Sequence, residues 1–392
     1  MLRSLDSGVS GLQAQQTMLD VVSNNIANVN TTGYKANSVE FEDTLSQMLG
    51  EASAPGTNTG GTNPSEVGLG VRVASIDTNF TEGAAENTGV DTNMMINGDG
   101  FFVVNVGGQT EYTRAGDFTL DGSGNLVSPD GGIVQGWSAT NGVVNTGETP
   151  GNLTLPMSAI SPAVASTGAT VTGNLPSDAA AGTAINSEIS VYDASGNESD
   201  LSLTFTAAGG GAWNVTATGP GGSTGTDALT FSNGAITGGQ TMTVGGITVD
   251  LSQVTGFAGN SSANLSAQNG SAAGTLQSFT IGQDGTIEGS FSNGTKEAIG
   301  RVALANFANP SGLENVGNSN YVTTANSGVA QLGTAGSGSL GTITSGELEG
   351  SNVDLSQEFT NLIVAQRAFQ ASARVITTSD DVLQELISLK QN

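Results

Sequence analysis

"SNNIANVNTTGYK", residues 23–35, holds four asparagines, one glycine and a closing Tyr34–Lys35 pair. It ends a run whose apolar residues keep helical spacing from Leu2 onward. Leu2, Leu5, Val9, Leu12, Gln16, Leu19, Ser23 and Ile26 recur at alternating steps of three and four. That is the repeat of a coiled-coil seam, with Met18, Val22 and Val29 beside it. Gly8 and Gly11 are expected to weaken the helix by about 1 kcal/mol each relative to Ala. Asn24, Asn25 and Asn28 fall on its last turns. Asn30 and Gly33 suit the left-handed backbone angles that stop a helix. Tyr34 and Lys35 then leave in a new direction, as a subunit of an assembly requires after a self-association helix.

The other end of the chain repeats the pattern. Asp354 and Gln357 have capping-box spacing. Leu355, Phe359, Leu362, Gln366, Phe369, Ala373, Ile376, Asp380, Leu383 and Ile387 follow at steps of four and three. The stretch from Leu355 to Leu389 contains no Pro or Gly, which predicts roughly 50 Å of helix. Two amphipathic helices covering one core is the plainer reading. The position of the stripes at opposite ends, and their length, favour pairing with each other instead. Full order is then expected only against neighbouring copies.

The 392 residues are more than one domain usually holds. Gly is abundant at 58 and the aromatic content is 5%, which suits short strands and tight turns. Without Cys there is no disulfide or thiolate site, and without His the commonest general base and metal ligand is missing. The net charge of −26 disfavours nucleic acid and anionic membranes as partners. In residues 1–35, Arg3 and Lys35 balance Asp6 and Asp20. From 355 onward, Arg367, Arg374 and Lys390 face Glu358, Asp380, Asp381 and Glu385, which sums to −1 and leaves −25 for the middle. Near-neutral ends can pack on copies of themselves. The start shows no secretory leader, and no apolar run approaches the ~20 residues of a membrane span.

In the interior, Phe41, Leu45, Met48 and Leu49 suggest a short helix, followed by a Gly/Thr/Pro-rich loop to about Glu66. Val71, Val73 and Ile76 read as a strand. "MMINGDGFFVVNV" and the stretch from Thr110 to Trp137 read as strands and hairpins with Asn-Gly and Asp-Gly turns. A separate β-rich block follows, with Val191, Leu203, Phe205, Trp213 and Val215 facing a core.

Sites of catalysis and ligation are absent as patterns. "DGSGNLVSPDGG" starts like a calcium loop at Asp121, Ser123 and Asn125, but Leu126 and Gly132 stand where Gly and Glu are required. "YDASGNESD" fails likewise, so both read as turns. No P-loop or dinucleotide fingerprint is present, a Ser-His-Asp triad is impossible, and no carboxylate pair is marked out. No cofactor and no metal are expected.

The stretch 23–35, with Asn24, Asn25, Ile26, Ala27, Asn28, Gly33, Tyr34 and Lys35, resembles the N-terminal signature of the bacterial flagellar rod, hook and hook-associated axial proteins. "GELEGSNVDLSQEFTNLIVAQRAFQASARVITTSDDVL" resembles that family's C-terminal signature. "NFANPSGL" and "GVAQLGTAGSGSLG" add local matches. The resemblance implies a mixed, mainly β fold: long terminal α-helices form a coiled-coil core domain, with two nested β-rich domains inserted between them. Residues 1–30 and 350–392 would form the inner tube, 31–71 and 341–349 a connecting segment, 72–145 and 275–340 a middle domain, and 146–274 an outer domain.

The implied interface residues are Leu5, Val9, Leu12, Leu19, Ile26, Leu355, Phe359, Leu362, Phe369, Ile376 and Leu383. The inserted outer block, which shorter rod proteins lack, favours a structural subunit of the hook. Such a subunit self-assembles into a curved, flexible tube that transmits torque from rod to filament, and it is not an enzyme. Its implied partners are further copies of itself, distal-rod and hook–filament junction proteins, and a hook cap. Its implied place is extracellular, reached by type III export without a cleavable signal peptide. A distal-rod or hook-associated protein is the alternative within the family. A secreted acidic adhesin or hydrolase is the alternative outside it.

Overall fold

The computed structural model describes residues 2–57, 60–140, 142–156 and 160–391. Two helices, α1 (Leu2–Ala27) and α2 (Leu355–Gln391), flank a chain that is otherwise mainly β. Contacts divide it into two units. The first is Met1–Leu155, Thr280–Ile287 and Ala298–Asn392; the second is Pro156–Phe279 and Glu288–Glu297. The sequence reading had placed the outer block at 146–274.

In the first unit α1 and α2 run antiparallel: Ser4 Oγ lies 3.4 Å from Ser379 Oγ. Gly8 faces Ile376 and Ser372, and Gly11 faces Ser372. Asp354 caps α2, accepting hydrogen bonds from the backbone N–H of Ser356 (2.8 Å) and Gln357 (3.3 Å). Only half of the expected capping box forms, because Gln357 donates forward to Asn361 instead.

The helix expected around Phe41, Leu45, Met48 and Leu49 is not formed. Strand Asn37–Asp43 pairs with Val71–Thr78, and Ser46–Gly50 pairs with Ser65–Gly68. Those partners satisfy the backbone, whereas a helix there would have had no surface for its apolar face. Leu45 is 86% exposed even so. Asn58 and Thr59 of the Gly/Thr-rich loop lie outside the described residues.

Further on, Phe101–Val106 and Gln109–Thr113 form a hairpin. Its turn residues Gly107 and Gly108 both have positive φ, as a two-residue turn between twisted strands demands. Asn320–Val322 extends one edge of this sheet and Ile133–Thr140 the other. Phe101, Tyr112, Phe307 and Tyr321 fill its core edge to face, with Tyr112 and Phe307 centroids 4.8 Å apart. Nearer α2 the returning chain pairs with the outgoing one again, Thr342–Ser345 on Met94–Asn97 and Glu347–Glu349 on Ala85–Asn87.

The second unit holds a nine-stranded sheet. Ala184–Tyr192, Glu198–Gly209, Ala212–Thr218 and Thr224–Ser232 meander antiparallel. Ile247–Thr255 and Gly168–Asn174 then pair in parallel, with Asn264–Gln268 last. The final strand curls back to the first, where Leu265 N–H donates to Ser187 Oγ at 2.7 Å. Strict alternation puts Val191, Leu203, Phe205, Trp213 and Val215 inside, each at most 1% exposed. These are the residues expected there from sequence.

Candidate functional site

The corner after α1 is built from the asparagines of the opening stretch. Asn25 is wholly buried and fully used. Its amide donates to the Asn37 carbonyl (2.8 Å), and its Oδ1 accepts from Asn37 N–H (3.0 Å) and Tyr34 Oη–H (3.1 Å). The end of the helix is thereby tied to the start of the first strand. Asn28 donates back to Asn24 Oδ1 at 2.8 Å, and Thr31 N–H closes a turn on the Asn28 carbonyl.

Gly33, with φ +67°, takes the left-handed conformation that was expected. A Cβ there would lie 2.5 Å from Ala115 N. Asn30 does not take that conformation, because the turn closed by Asn28 ends the helix within ordinary angles. Ile26 is half-buried and Ala27, the last residue of α1, is exposed.

Lys35 ends the stretch inside the protein. Its ammonium, fully buried, donates to Glu349 Oε1 at 2.6 Å and to the Thr81 carbonyl at 2.8 Å. Burial pulls its pKa below the ordinary lysine value, against the attraction of Glu349. Glu349 also accepts from Gly83 N–H (2.9 Å) and lies 3.5 Å from Arg114. Arg114 in turn donates to the Gly98 carbonyl at 2.8 Å and stands over the Phe101 ring. Sequence reasoning missed Glu349 and Arg114, since partners 314 positions apart leave no local pattern. Asn352 completes the lock by accepting from Ala36 N–H and donating to the Asn79 carbonyl, both at 2.8 Å. The cluster welds the chain leaving α1 to the chain entering α2, so the two helices are launched from one rigid base.

The helix faces differ from the expected seams. α1 turns Gly8, Gly11, Ala14 and Val22 inward. That face lies one position away from the leucine stripe, about 100° round the helix. Glycines bring the backbones close, which reverses the penalty expected of them. Leu5, Leu12 and Leu19 stay half-exposed and Val9 is 38% exposed; the side chain of Leu2 lies outside the described residues. On α2, Leu362, Phe369, Ile376 and Leu383 lie half-buried, and Ile376 faces Gly8 of α1. Leu355 and Phe359 remain 39% and 50% exposed.

The calcium-like loops are Asx turns. Asp121 Oδ1 accepts from the backbone of Ser123 and Asn125, and Asp193 Oδ1 from that of Ser195 and Asn197. Among the described residues no cluster of three acidic residues is placed to hold a metal. A cavity of about 580 Å³ beside the corner is lined by amides, hydroxyls, Asp117 and Asp130. Burial raises the Asp117 carboxyl. Burial opposes ionisation of Asp130 too, but hydrogen bonds from Ser128, Gly132 and Asn320 hold it below the usual range.

Three family descriptions match along the chain. "Flagella basal body rod protein" covers residues 5–35. "Flagellar hook protein FlgE/F/G D1 domain" covers 95–172, and "Flagellar basal body rod FlgEFG protein C-terminal" covers 344–389. The flagellar hook protein FlgE of Borreliella burgdorferi is 40% identical over the whole of both chains. That of Treponema pallidum is 37% identical, also over the whole of both. The chain belongs to the flagellar hook protein family. It is a structural hook subunit located in the flagellum.

The basal-body rod protein FlgG of Bacillus subtilis is similar at a lower 32%, again over both full lengths. The crystal structure of Helicobacter pylori hook protein FlgE2 shares the fold. Its TM-score is 0.51 at 15% identity, covering 66% of this chain and 98% of that one.

Proposed function

We propose that this hook subunit polymerises through its two terminal helices into a curved, flexible tube that passes torque from rod to filament. The exposed apolar residues of α1 and α2 carry the reading: a solitary molecule leaves Val9, Leu355, Phe359 and their neighbours in water. In this reading α1 and α2, residues 1–30 and 350–392, form a coiled-coil inner tube. The middle and outer β-domains are nested between them, with residues 31–71 and 341–349 as the connection.

Leu5, Val9, Leu12, Leu19 and Ile26 on α1, with Leu355, Phe359, Leu362, Phe369, Ile376 and Leu383 on α2, are the seam residues. Tight apolar seams hold the wall. Weak polar contacts among Ser/Thr/Gly-rich outer surfaces are remade on each turn, which permits bending. The role is mechanical rather than catalytic. Further partners are the distal-rod and hook–filament junction proteins and a hook cap. The subunit reaches the cell exterior by type III export.

Deleting residues 355–392 tests this reading. A soluble monomer that forms no tubes at any concentration is the expected result; tubes from the truncated chain refute it. The full-length likeness to a rod protein supports a second reading, a distal-rod subunit. Negative-stain images separate the two, since a hook subunit gives curved tubes and a rod subunit straight ones.

A further inference from the structure

We propose that α2 carries a second heptad seam, and that this seam receives the leucine stripe of α1 from another copy of the chain. The proposal rests on the self-association reading and names the two faces that meet.

The first seam of α2, through Ala365, Ser372, Ile376 and Leu383, is turned to α1 of the same chain. A second set recurs at steps of three and four through Val364, Ala371, Val375, Val382, Leu386 and Leu389, with Ala368 and Thr378 between them; two steps of four meet at Val382, where a strict alternation would reach Glu385. It lies about 100° round the helix from the first. Val364 is 56% exposed, Val382 50% and Leu389 68%. Among the described residues, α1 is the one element that packs extensively on α2; it occupies the other seam and reaches only Val375, at the border of this one, through Gly8. Leu386 and Leu389 also lie seven and ten positions beyond Ser379, which faces Ser4.

The stripe on α1 is partly open: Val9 is 38% exposed, and Leu5, Leu12, Leu19 and Ile26 are half-buried. Strands Asn37–Asp43 and Val71–Thr78 cover the flank of Ser7 and Ser10, where Val71 N–H donates to Ser10 Oγ at 3.4 Å. Leu5, Val9, Leu12, Leu19 and Ile26 lie on the opposite flank, about 100° from the glycine face.

The sense of these two offsets decides what can cover them. Seen along each helix from its own N-terminus, the leucine stripe is rotated clockwise from the face that meets the partner helix. The valine seam is rotated anticlockwise. Because the helices are antiparallel, the two stripes end up on opposite sides of the pair. A patch on one side that fits a patch on the other makes a head-to-tail contact. Such a contact propagates instead of closing at two. The small Ala368 and Ala371 leave holes for the leucines, as knobs-into-holes packing needs.

The chain has no cysteine of its own, so engineered thiols report the contact cleanly. Full-length Val9→Cys is mixed under polymerising conditions with Val364→Cys, Val375→Cys or Val382→Cys, then oxidised. The proposal predicts mixed disulfide dimers with at least one of the three, formed only on polymerisation. Polymers that give no mixed dimer, or valine-seam thiols that pair only with themselves, overturn it.

A second variant guards against chance misplacement of the thiols. The V364E/V382E double substitution, at two exposed positions, is expected to leave the helix signal and melting temperature of the monomer unchanged. It is expected to raise the concentration needed for polymerisation roughly 100-fold. A wild-type threshold overturns the seam. If deletion of 355–392 abolishes tubes in the same assay, self-association itself stands.

Discussion

The second unit and the terminal helices treat apolar side chains in opposite ways. The nine-stranded sheet wraps on itself and buries Trp213, Phe205, Leu203, Val249 and Leu251 at 1% exposure or less. The helices, 26 and 37 residues long, contribute only Ala14, Val22 and Ala365 to the fully buried apolar set among the described residues. One region satisfies its hydrophobic surface within the chain, and the other keeps it in water. Burying a Leu or Val contributes about 1.5–3 kcal/mol, so under the proposed polymerisation the open helical face is a reserve of free energy that other copies release. The contrast separates a region built for stability from one built for assembly.

Substitutions can break or sharpen that contrast. Trp213→Ala should destabilise the second unit by about 3–5 kcal/mol, read by denaturant titration, and leave the polymerisation threshold in place. A threshold that moved with it would mean the two regions are not independent. Lys35→Met strands Glu349 against a single distant guanidinium and should cost about 3 kcal/mol. A double K35M/E349L variant should recover part of the loss, since the desolvated carboxylate goes with the lysine. Gly33→Ala forces a side chain into left-handed backbone and against Ala115, for at least about 1–2 kcal/mol, seen as a lowered melting temperature. The Lys35 and Gly33 substitutions act on the base of the helices, so monomer stability should fall before any seam contact is touched.

The smallest effect concerns Glu358. Burial raises its carboxyl pKa. The folded state therefore holds the proton longer than the unfolded one, and this group's contribution to stability declines as pH rises through and just above the ordinary carboxylate range. Glu358→Gln should flatten the pH dependence of the melting temperature in that window by a small amount, because the half-buried group keeps some contact with water. A steeper slope in the variant would contradict the assignment.

Much of this was legible in the residues. The start of α2 follows from Asp354 and the left-handed corner beyond α1 from Gly33, and the alternation of the second unit gave its core directly. The facing surface of α1 was misplaced by one position, for a physical reason: a search for apolar periodicity passes over Gly8 and Gly11. Those two make the closest backbone approach because they lack bulk. The segment around Leu45–Leu49 fits helical and extended spacing equally, and only its partner strands decide. The Lys35–Glu349–Arg114 cluster depends on contacts hundreds of positions apart, which no local window contains.

In the proposed assembly the open helical seams are buried by other copies. The most direct test is the labelling rate of a thiol at Val364→Cys, 56% exposed in the single chain, measured before and after polymerisation. Fast labelling of the monomer and roughly 100-fold slower labelling of the tube is the predicted result. Labelling equally fast in both, or already slow in the monomer, would contradict it.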